Sequence, residues 1–552
     1  KALGGSRRCN LNPFGFTFSS NDLAYFIARR PVEAGPRKFE QNVNTFYTSG
    51  GLDGHFDVGP QRFNWDATLA YGLNRGEQRR NNSFNSAKLE QALGPAYRGS
   101  DGLYHCGTVD RPGEASCVPF NIFGGQGPDG KGTITKEMLA YTTFTEHDVS
   151  EQTVVDAVAN VTGNLVKLPA GWLAGAIGIE HRRLSGFFEP DAIVAAGDSA
   201  DIPAAPTSGH YSVSEAYAEL RAPLVMGTPG AELLDVNAAA RISDYSFLSP
   251  ELTGKLGARW KPTKDLIVRG SYARGFRAPS IGELYGSKSR FDANIDDPCS
   301  KFLEMGTADA VRQRCIELGV PADGTYEQPN DQIGVITNGE RNLKPERSNS
   351  FNLSLAYSPK ALQDRPWIDN LDLELAYFNI GIDDPITALD AQRQLDRCVI
   401  GRDDVYCNGI LRNGAGSIFS WTNALQNIGA INVSGLDLTV SYKMPRKSFG
   451  RFRATWQSSY LIAYEEKVLG ANGFDTIKRQ GAIAGTPERA FPRFKSALAL
   501  TWLYKQIDLT LTTRYIHSLT EQCRNLSDFP GTCSDPNPDD DSLSTNKLGA
   551  TV

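Results

Sequence analysis

The feature that most constrains this chain is a period of two: apolar and polar side chains alternate in short runs from one end of the sequence to the other. Trp65, Ala67, Leu69, Tyr71 and Leu73 interleave with Asp66, Thr68, Ala70 and Gly72, which puts two chemistries on opposite faces of one strand. Phe351, Leu353, Leu355 and Tyr357 repeat the pattern against Asn352 and Ser354, and Leu371, Leu373, Leu375 and Tyr377 against Asp372, Glu374 and Ala376. It returns in Leu436, Leu438, Val440 and Tyr442, and in Ile507, Leu509 and Leu511. No stretch approaches the roughly 20 uninterrupted apolar residues of a membrane-spanning helix. A membrane-spanning strand needs only about 10 residues of alternating character, so this test does not exclude a transmembrane barrel.

Alternation alone leaves two all-β readings open, a soluble sandwich or propeller and a transmembrane barrel. Connection lengths separate them. Short turns are expected at 57–61, 167–171, 226–230, 262–265, 445–450 and 504–506. Between them lie long excursions at 74–143, 184–209, 281–349, 383–427, 465–492 and from 517 onward. Short and long connections largely alternate, as in an outer-membrane barrel with tight periplasmic turns at one rim and long extracellular loops at the other. Tyr71, Tyr357, Tyr377, Tyr442 and Tyr515 stand near strand ends, where interfacial aromatic girdles lie. The expected fold is an all-β, transmembrane, antiparallel up-and-down β-barrel, with roughly 15–17 strands present.

Eight of the nine cysteines form four near-neighbour pairs, Cys106 with Cys117, Cys299 with Cys315, Cys398 with Cys407 and Cys523 with Cys533, all inside long excursions. None has the spacing of a zinc or redox motif, so disulfides closing small loops in an oxidising compartment are expected. Cys9 is left over, with a partner upstream of Lys1 or as a free thiol. The formal charge of −6 gives no global basic surface, and no nucleic-acid partner is expected. No signal peptide opens the sequence, so residues 1–552 are read as a processed or partial chain.

Residues 270–285, GSYARGFRAPSIGELY, closely resemble the barrel signature of TonB-dependent outer-membrane receptors, carried by Arg274, Gly275, Phe276, Arg277, Ala278 and Pro279. Residues 342–351, NLKPERSNSF, follow where those receptors carry an N-L-x-P-E stretch, here Asn342, Leu343, Pro345 and Glu346. CVPFNIFG at 117–124 and LPAGWLAGAIGIE at 168–180 resemble a loop and a hairpin of one receptor subgroup. The likeness runs from about Phe39 to His517. It implies a 22-stranded barrel in the bacterial outer membrane, plugged by an N-terminal domain with a TonB box. Against that pattern, 1–552 is expected to be a partial barrel domain with the plug missing upstream and the last strands missing downstream.

The resemblance also implies energy-coupled import of a siderophore, cobalamin or oligosaccharide-like solute, with no covalent chemistry and no cofactor. Its partners would be outer-membrane lipid, the TonB–ExbB–ExbD complex acting through the plug, and the small-molecule or oligosaccharide ligand, with the receptor a monomer. A passive porin and an exported soluble glycan-binding β-protein are the rival readings.

No particular ligand residue can be named, and ligand contacts are expected in the long loops and on the lumen face. Arg274 and Arg277 have two readings, contact with a plug or anionic ligand, or pairing with a barrel carboxylate; Pro279 punctuates the chain. Asp535, Asn537, Asp539 and Asp541 recur as in half of a calcium loop, but the loop glycine and closing glutamate are missing and Pro536 and Pro538 interrupt it. A solvated acidic loop is the expectation there. His55, His105, His147, His181, His210 and His517 form no metal-ligand spacing, and no phosphate-binding glycine loop or nucleophile elbow occurs. No metal site and no enzyme activity are expected.

Overall fold

The computed structural model describes residues 29–522 and 545–548, apart from 124–131, 202, 287–288, 305–306, 330–331, 364 and 485–488. Its frame is a single antiparallel sheet of 15 strands. Fourteen follow one another as a meander: β1 (Lys38–Val58), β2 (Gln61–Phe84), β3 (Thr143–Leu168), β4 (Gly171–Glu189), β5 (Thr207–Thr228), β6 (Ala231–Tyr245) and β7 (Glu251–Lys261), then β8 (Leu266–Arg277), β9 (Glu346–Tyr357), β10 (Asn370–Asp383), β11 (Ala430–Lys443), β12 (Arg451–Gly470), β13 (Phe494–Tyr504) and β14 (Ile507–Ile516). The fifteenth, Gly473–Lys478, folds back on the far end of β12. This count meets the lower end of the expected range. Among the described residues β1 and β14 pair with one neighbour each, so the sheet is a continuous strip and no closed barrel is formed.

All six expected tight turns join consecutive strands at one rim. A seventh connection there, 358–369, is longer. The opposite rim carries 85–142, 190–206, 246–250, 278–345, 384–429 and 471–493. Pro223, which lacks a ladder donor, sits in β5 where the register with β6 shifts between Pro223 and Val225, the place a proline is tolerated inside a sheet.

The two faces of the strip are sorted in the inverse of a soluble protein. Across-strand partners share a face, so the register carries Leu256 onto Tyr272 and then Phe351, and Leu353 onto Tyr377. These apolar side chains are open: Leu256 is 62% exposed and Ile177 61%. Tyr71, Tyr357, Tyr377 and Tyr442 lie on the same apolar face. On the other face polar groups are covered, Asp235 to 4% and Ser243 to 0%. A wide exposed apolar band over a buried polar wall destabilises a protein in water and suits one whose outer face meets lipid and whose inner face lines a lumen. No described helix is long and apolar enough to cross a membrane.

The compact apolar cores lie in the excursions, not in the sheet. Segments 278–345 and 384–429 fold together into a cap, with Phe302, Val335, Leu395, Val399 and Trp421 at its centre. Its small sheet joins the two segments through parallel pairing of Gln332–Asn338 with Ile418–Asn427, Val335 opposite Trp421. Disulfides Cys299–Cys315 and Cys398–Cys407 are part of this core, and Cys106–Cys117 closes a separate small core with Ala92 and Tyr141 in 85–142. Three of the four expected pairs are therefore formed. Cys9, Cys523, Cys533 and the run from Asp535 to Asp541 lie outside the described residues.

Candidate functional site: the lumen wall and the capped mouth

Strand alternation aims Asp66, Asp156, Glu180, Arg182, Glu215 and Arg241 of β2–β6 at one surface. Asn160 Nδ2 donates to Asp66 Oδ2 at 2.7 Å, and the Tyr217 hydroxyl donates to the other end of the same amide. Arg241 Nη1 donates to Glu215 Oε2 at 3.0 Å and Glu180 Oε2 at 3.3 Å, with its guanidinium 4.4 Å from the Tyr217 ring centre. Arg182 pairs with Glu180 and lies 3.8 Å from Asp156 and 3.7 Å from Glu215. Gly178 makes this packing possible, because a Cβ there would overlap Tyr217. Four carboxylates, Asp66, Asp156, Glu180 and Glu215, stand against two guanidiniums, Arg182 and Arg241. Charges in a membrane-embedded wall persist only when paired in this way or hydrated by a lumen.

Closer to the short-turn rim the balance reverses. Asp235 accepts from Arg221 Nη2 at 2.9 Å and from Arg259 Nε at 3.0 Å. With Lys255 and Arg269 these line a concavity of about 600 Å³, in which four cations face Glu219 and Asp235.

At the other rim the signature residues assemble a clamp. Arg277, the last residue of β8, reaches both oxygens of Glu346, the first of β9, through Nε at 2.8 Å and Nη2 at 2.7 Å. It also holds both oxygens of Glu283 at 2.8 and 2.9 Å. Glu283 closes a capping box with Ser280 at the start of the helix Ile281–Tyr285, directly after Pro279. That helix seats Tyr285 against Gly209 of β5, where a Cβ would overlap the ring. Leu343 and Pro279 are buried, and Glu346 Oε1 also accepts from the Ile386 amide at 2.7 Å, tying in the second cap segment. Arg277 thus takes the carboxylate-paired reading. Arg274 lies opposite Gly254 and Asn349, two residues from the outward Tyr272, and Gly275, Phe276 and Ala278 complete the strand end and the turn.

Inside the cap, Arg412 makes a two-pronged pair with Asp297, Nη1 to Oδ2 at 2.6 Å and Nη2 to Oδ1 at 2.9 Å, both side chains buried. The Tyr326 hydroxyl donates to Asp297 Oδ2 at 2.7 Å, and burial together with that carboxylate pushes its ionisation well above the usual tyrosine range. Arg314, on the helix that carries Cys315, donates Nε to the Cys398 carbonyl at 3.2 Å, joining the two disulfide loops. Sequence reading identified neither the lumen network nor these cap pairs. The lumen network had a readable signal, charges two apart within strands such as Glu180 and Arg182, whereas Arg412 and Asp297 are 115 residues apart and Arg314 and Cys398 are 84 apart. Among the described residues no cluster of His, Cys, Asp and Glu could hold a metal ion.

An antiparallel sheet with an exposed apolar band on one face, a polar wall on the other and a folded, disulfide-tied cover at one rim has the architecture of a membrane-spanning β-barrel wall. The chain belongs to the TonB-dependent receptor-like β-barrel family, which it matches over residues 10–545. That family consists of outer-membrane transport receptors and is not catalytic. Similar solved structures include a mutant of the ferric enterobactin receptor PfeA of Pseudomonas aeruginosa, 12% identical over 87% of this chain and 58% of that one, with a TM-score of 0.44. The siderophore receptor PirA of Acinetobacter baumannii is 11% identical over 94% and 73% of the two chains, with a TM-score of 0.40. A double mutant of the Serratia marcescens hemophore receptor HasR, in complex with its hemophore HasA and heme, is 11% identical over 86% and 65%, with a TM-score of 0.39. The chain spans 58% of the length of the first of these structures. No curated protein matches the sequence significantly.

Proposed function

We propose that the protein is the barrel portion of an energy-coupled, TonB-dependent uptake receptor for a scarce solute such as a siderophore, cobalamin or oligosaccharide. The observation that carries this reading is the pairing of a charged lumen wall with a mouth covered by a folded cap, clamped to the wall through Arg277 and Glu346. A barrel built for passive flow has little use for so large an ordered cover. The complete receptor is a closed 22-stranded barrel, monomeric in outer-membrane lipid, with a plug domain that contacts the TonB–ExbB–ExbD complex. In this reading the plug packs against the wall around Arg221, Lys255, Arg259 and Arg269, which line a concavity on the lumen face. The family signature residues act in this reading as the frame of the mouth, not as ligand contacts.

The test is growth of cells carrying the full reading frame on iron chelates, cobalamin or oligosaccharides as the limiting nutrient, with and without TonB. Growth on one of these solutes that is lost without TonB is expected. Growth that persists without TonB, with a steady open conductance in planar bilayers, would point to a porin instead.

A further inference from the structure

The short-turn rim is cationic in one sector and neutral in the rest. Turns 59–60, 169–170 and 229–230 carry no charged residue, and 262–265 sets Lys264 beside Asp265. The last three connections of that rim, 358–369, 444–450 and 505–506, hold Lys360, Arg365, Arg446, Lys447 and Lys505 against Asp364 and Asp369. Asp369 is already taken, by Lys443 at 2.8 Å. Among the described residues none of the five cations has a carboxylate partner.

Two of these cations sit on aromatic rings, with Lys447 Nζ 5.7 Å from the centre of Trp367 and Lys505 Nζ 5.3 Å from that of Tyr504. An aromatic tier runs between them. Trp367 stacks on Phe449 at 6.5 Å, Phe449 lies 6.3 Å from Phe452, Trp502 Nε1 donates to the Phe449 carbonyl at 2.8 Å, and Trp502 stacks on Tyr504 at 5.7 Å. The register carries the exposed apolar face from Tyr442 across Ala454 to Leu500, so Phe452 and Trp502, one pair nearer the turns, share it. A ring attracts an ammonium group through its quadrupole but supplies no countercharge, so both lysines keep their positive charge. Turn geometry does not call for lysine either: Lys505 stands at φ 51°, a conformation that glycine or asparagine adopts with less strain.

An exposed aromatic tier bordered by unpaired cations matches the two parts of an acidic lipid, rings for its chains and cations for its phosphate. A zwitterionic headgroup brings its own cation and leaves the excess charge unmatched. We infer that this sector of the rim binds anionic phospholipids of the adjoining leaflet, with their phosphates met by Arg446, Lys447 and Lys505 and their chains laid on Trp367, Phe449 and Trp502. The inference concerns how the sheet is seated in its membrane; it goes beyond the uptake reading and is independent of the cargo.

The test uses the full-length protein in phosphatidylcholine vesicles containing a small fraction of phosphatidylglycerol, or in parallel phosphatidylcholine, with a photoreactive diazirine in one acyl chain. Mass spectrometry of the peptides locates the adducts. Relative to phosphatidylcholine, phosphatidylglycerol is expected to label this sector about threefold or more over the peptides around Trp172 and Trp260 at the neutral turns. The enrichment should shrink between about 0.05 and 0.5 M NaCl as the charges are screened. The triple variant Arg446→Gln, Lys447→Gln, Lys505→Gln should lose it, while Lys447→Arg with Lys505→Arg, which keeps the charge, should retain it. Unfolding in urea from plain phosphatidylcholine vesicles checks that both variants fold. Equal distribution of the two lipids around the rim overturns the inference and leaves the patch to an acidic protein segment; enrichment that survives in the triple variant overturns it as well. Neither result bears on the uptake reading, because the labelling depends on neither cargo nor TonB.

Discussion

Arg277 and Glu346 are 69 residues apart in sequence and share two hydrogen bonds, so the two signature stretches of the chain form one joint. Because the same guanidinium also holds Glu283, and Glu346 also takes the Ile386 amide, one side chain links β8, the rim helix, β9 and the second cap segment. Arg277→Ala leaves two carboxylates facing each other at the rim. The joint is partly exposed, so a cost of about 1–2 kcal/mol is expected, with lysine restoring part of it because it cannot span both carboxylates in the plane of a fork. Thermal unfolding in detergent should show the loss, and limited proteolysis should place the new cuts near 278–290.

The cap should also be separable from the barrel by its covalent ties. Cys299 and Cys315 close a loop of separation 16, and opening a loop of that size costs about 3 kcal/mol. The double variant Cys299→Ala, Cys315→Ala is expected to make segments 278–345 and 384–429 protease-sensitive together, since they share one core, while the sheet stays protected. Cuts confined to the first segment would show that the two do not fold as a unit.

The buried pair of Arg412 and Asp297 makes a sharper demand on the same cap. Arg412→Ala strands a carboxylate that is fully buried, at a cost of about 3–5 kcal/mol. Combining Arg412→Met with Asp297→Asn removes both charges and keeps an acceptor for the Tyr326 hydroxyl. That double variant should recover most of the loss in a chemical unfolding series followed by Trp421 fluorescence.

Acid should act on two parts of the mouth in opposite directions. Burial pushes the Asp396 carboxyl up, against the Gln392 hydrogen bond that favours its ionised form. The contribution of this group to cap stability is therefore complete below the unfolded value, and is lost as pH rises through the raised folded one. Burial also opposes ionisation of Glu283, but Arg277 and the Ser280 amide outweigh it and hold that carboxyl below the usual range. Its contribution is complete above the unfolded value and is lost as pH falls through the folded one. Asp396→Asn should flatten the first dependence and Glu283→Gln the second, each read from proteolysis rates against pH.

The frame was legible because it is local. Alternation and turn chemistry located all six tight turns, and cysteine spacing gave Cys106–Cys117, Cys299–Cys315 and Cys398–Cys407. Strand ends were less readable: the excursion was expected to begin at Asn74, but β2 runs to Phe84. Beyond Leu73 its outward positions carry Arg75, Glu77 and Arg79, since a strand rising out of lipid has water on its outer face and loses the apolar half of the pattern. The cap was read only as loops. Its core brings Val335 to Trp421 by parallel pairing across 86 residues, and no periodicity within either segment announces such a contact.

The face assignment itself is open to a direct test at the middle of β7. Leu256 points outward, across from Tyr272, whereas its neighbour Gly257 shares the polar inner face with Ser271 and Asn352. Leu256→Arg places a cation at mid-depth in lipid, at a cost of about 2–4 kcal/mol, while Ser271→Arg one strand away enters a hydrated lumen and should cost far less. Folding of the full-length protein into lipid vesicles, followed in urea, measures both. If the two substitutions cost the same, the sheet does not have one face in lipid, and the soluble glycan-binding alternative would have to be reopened.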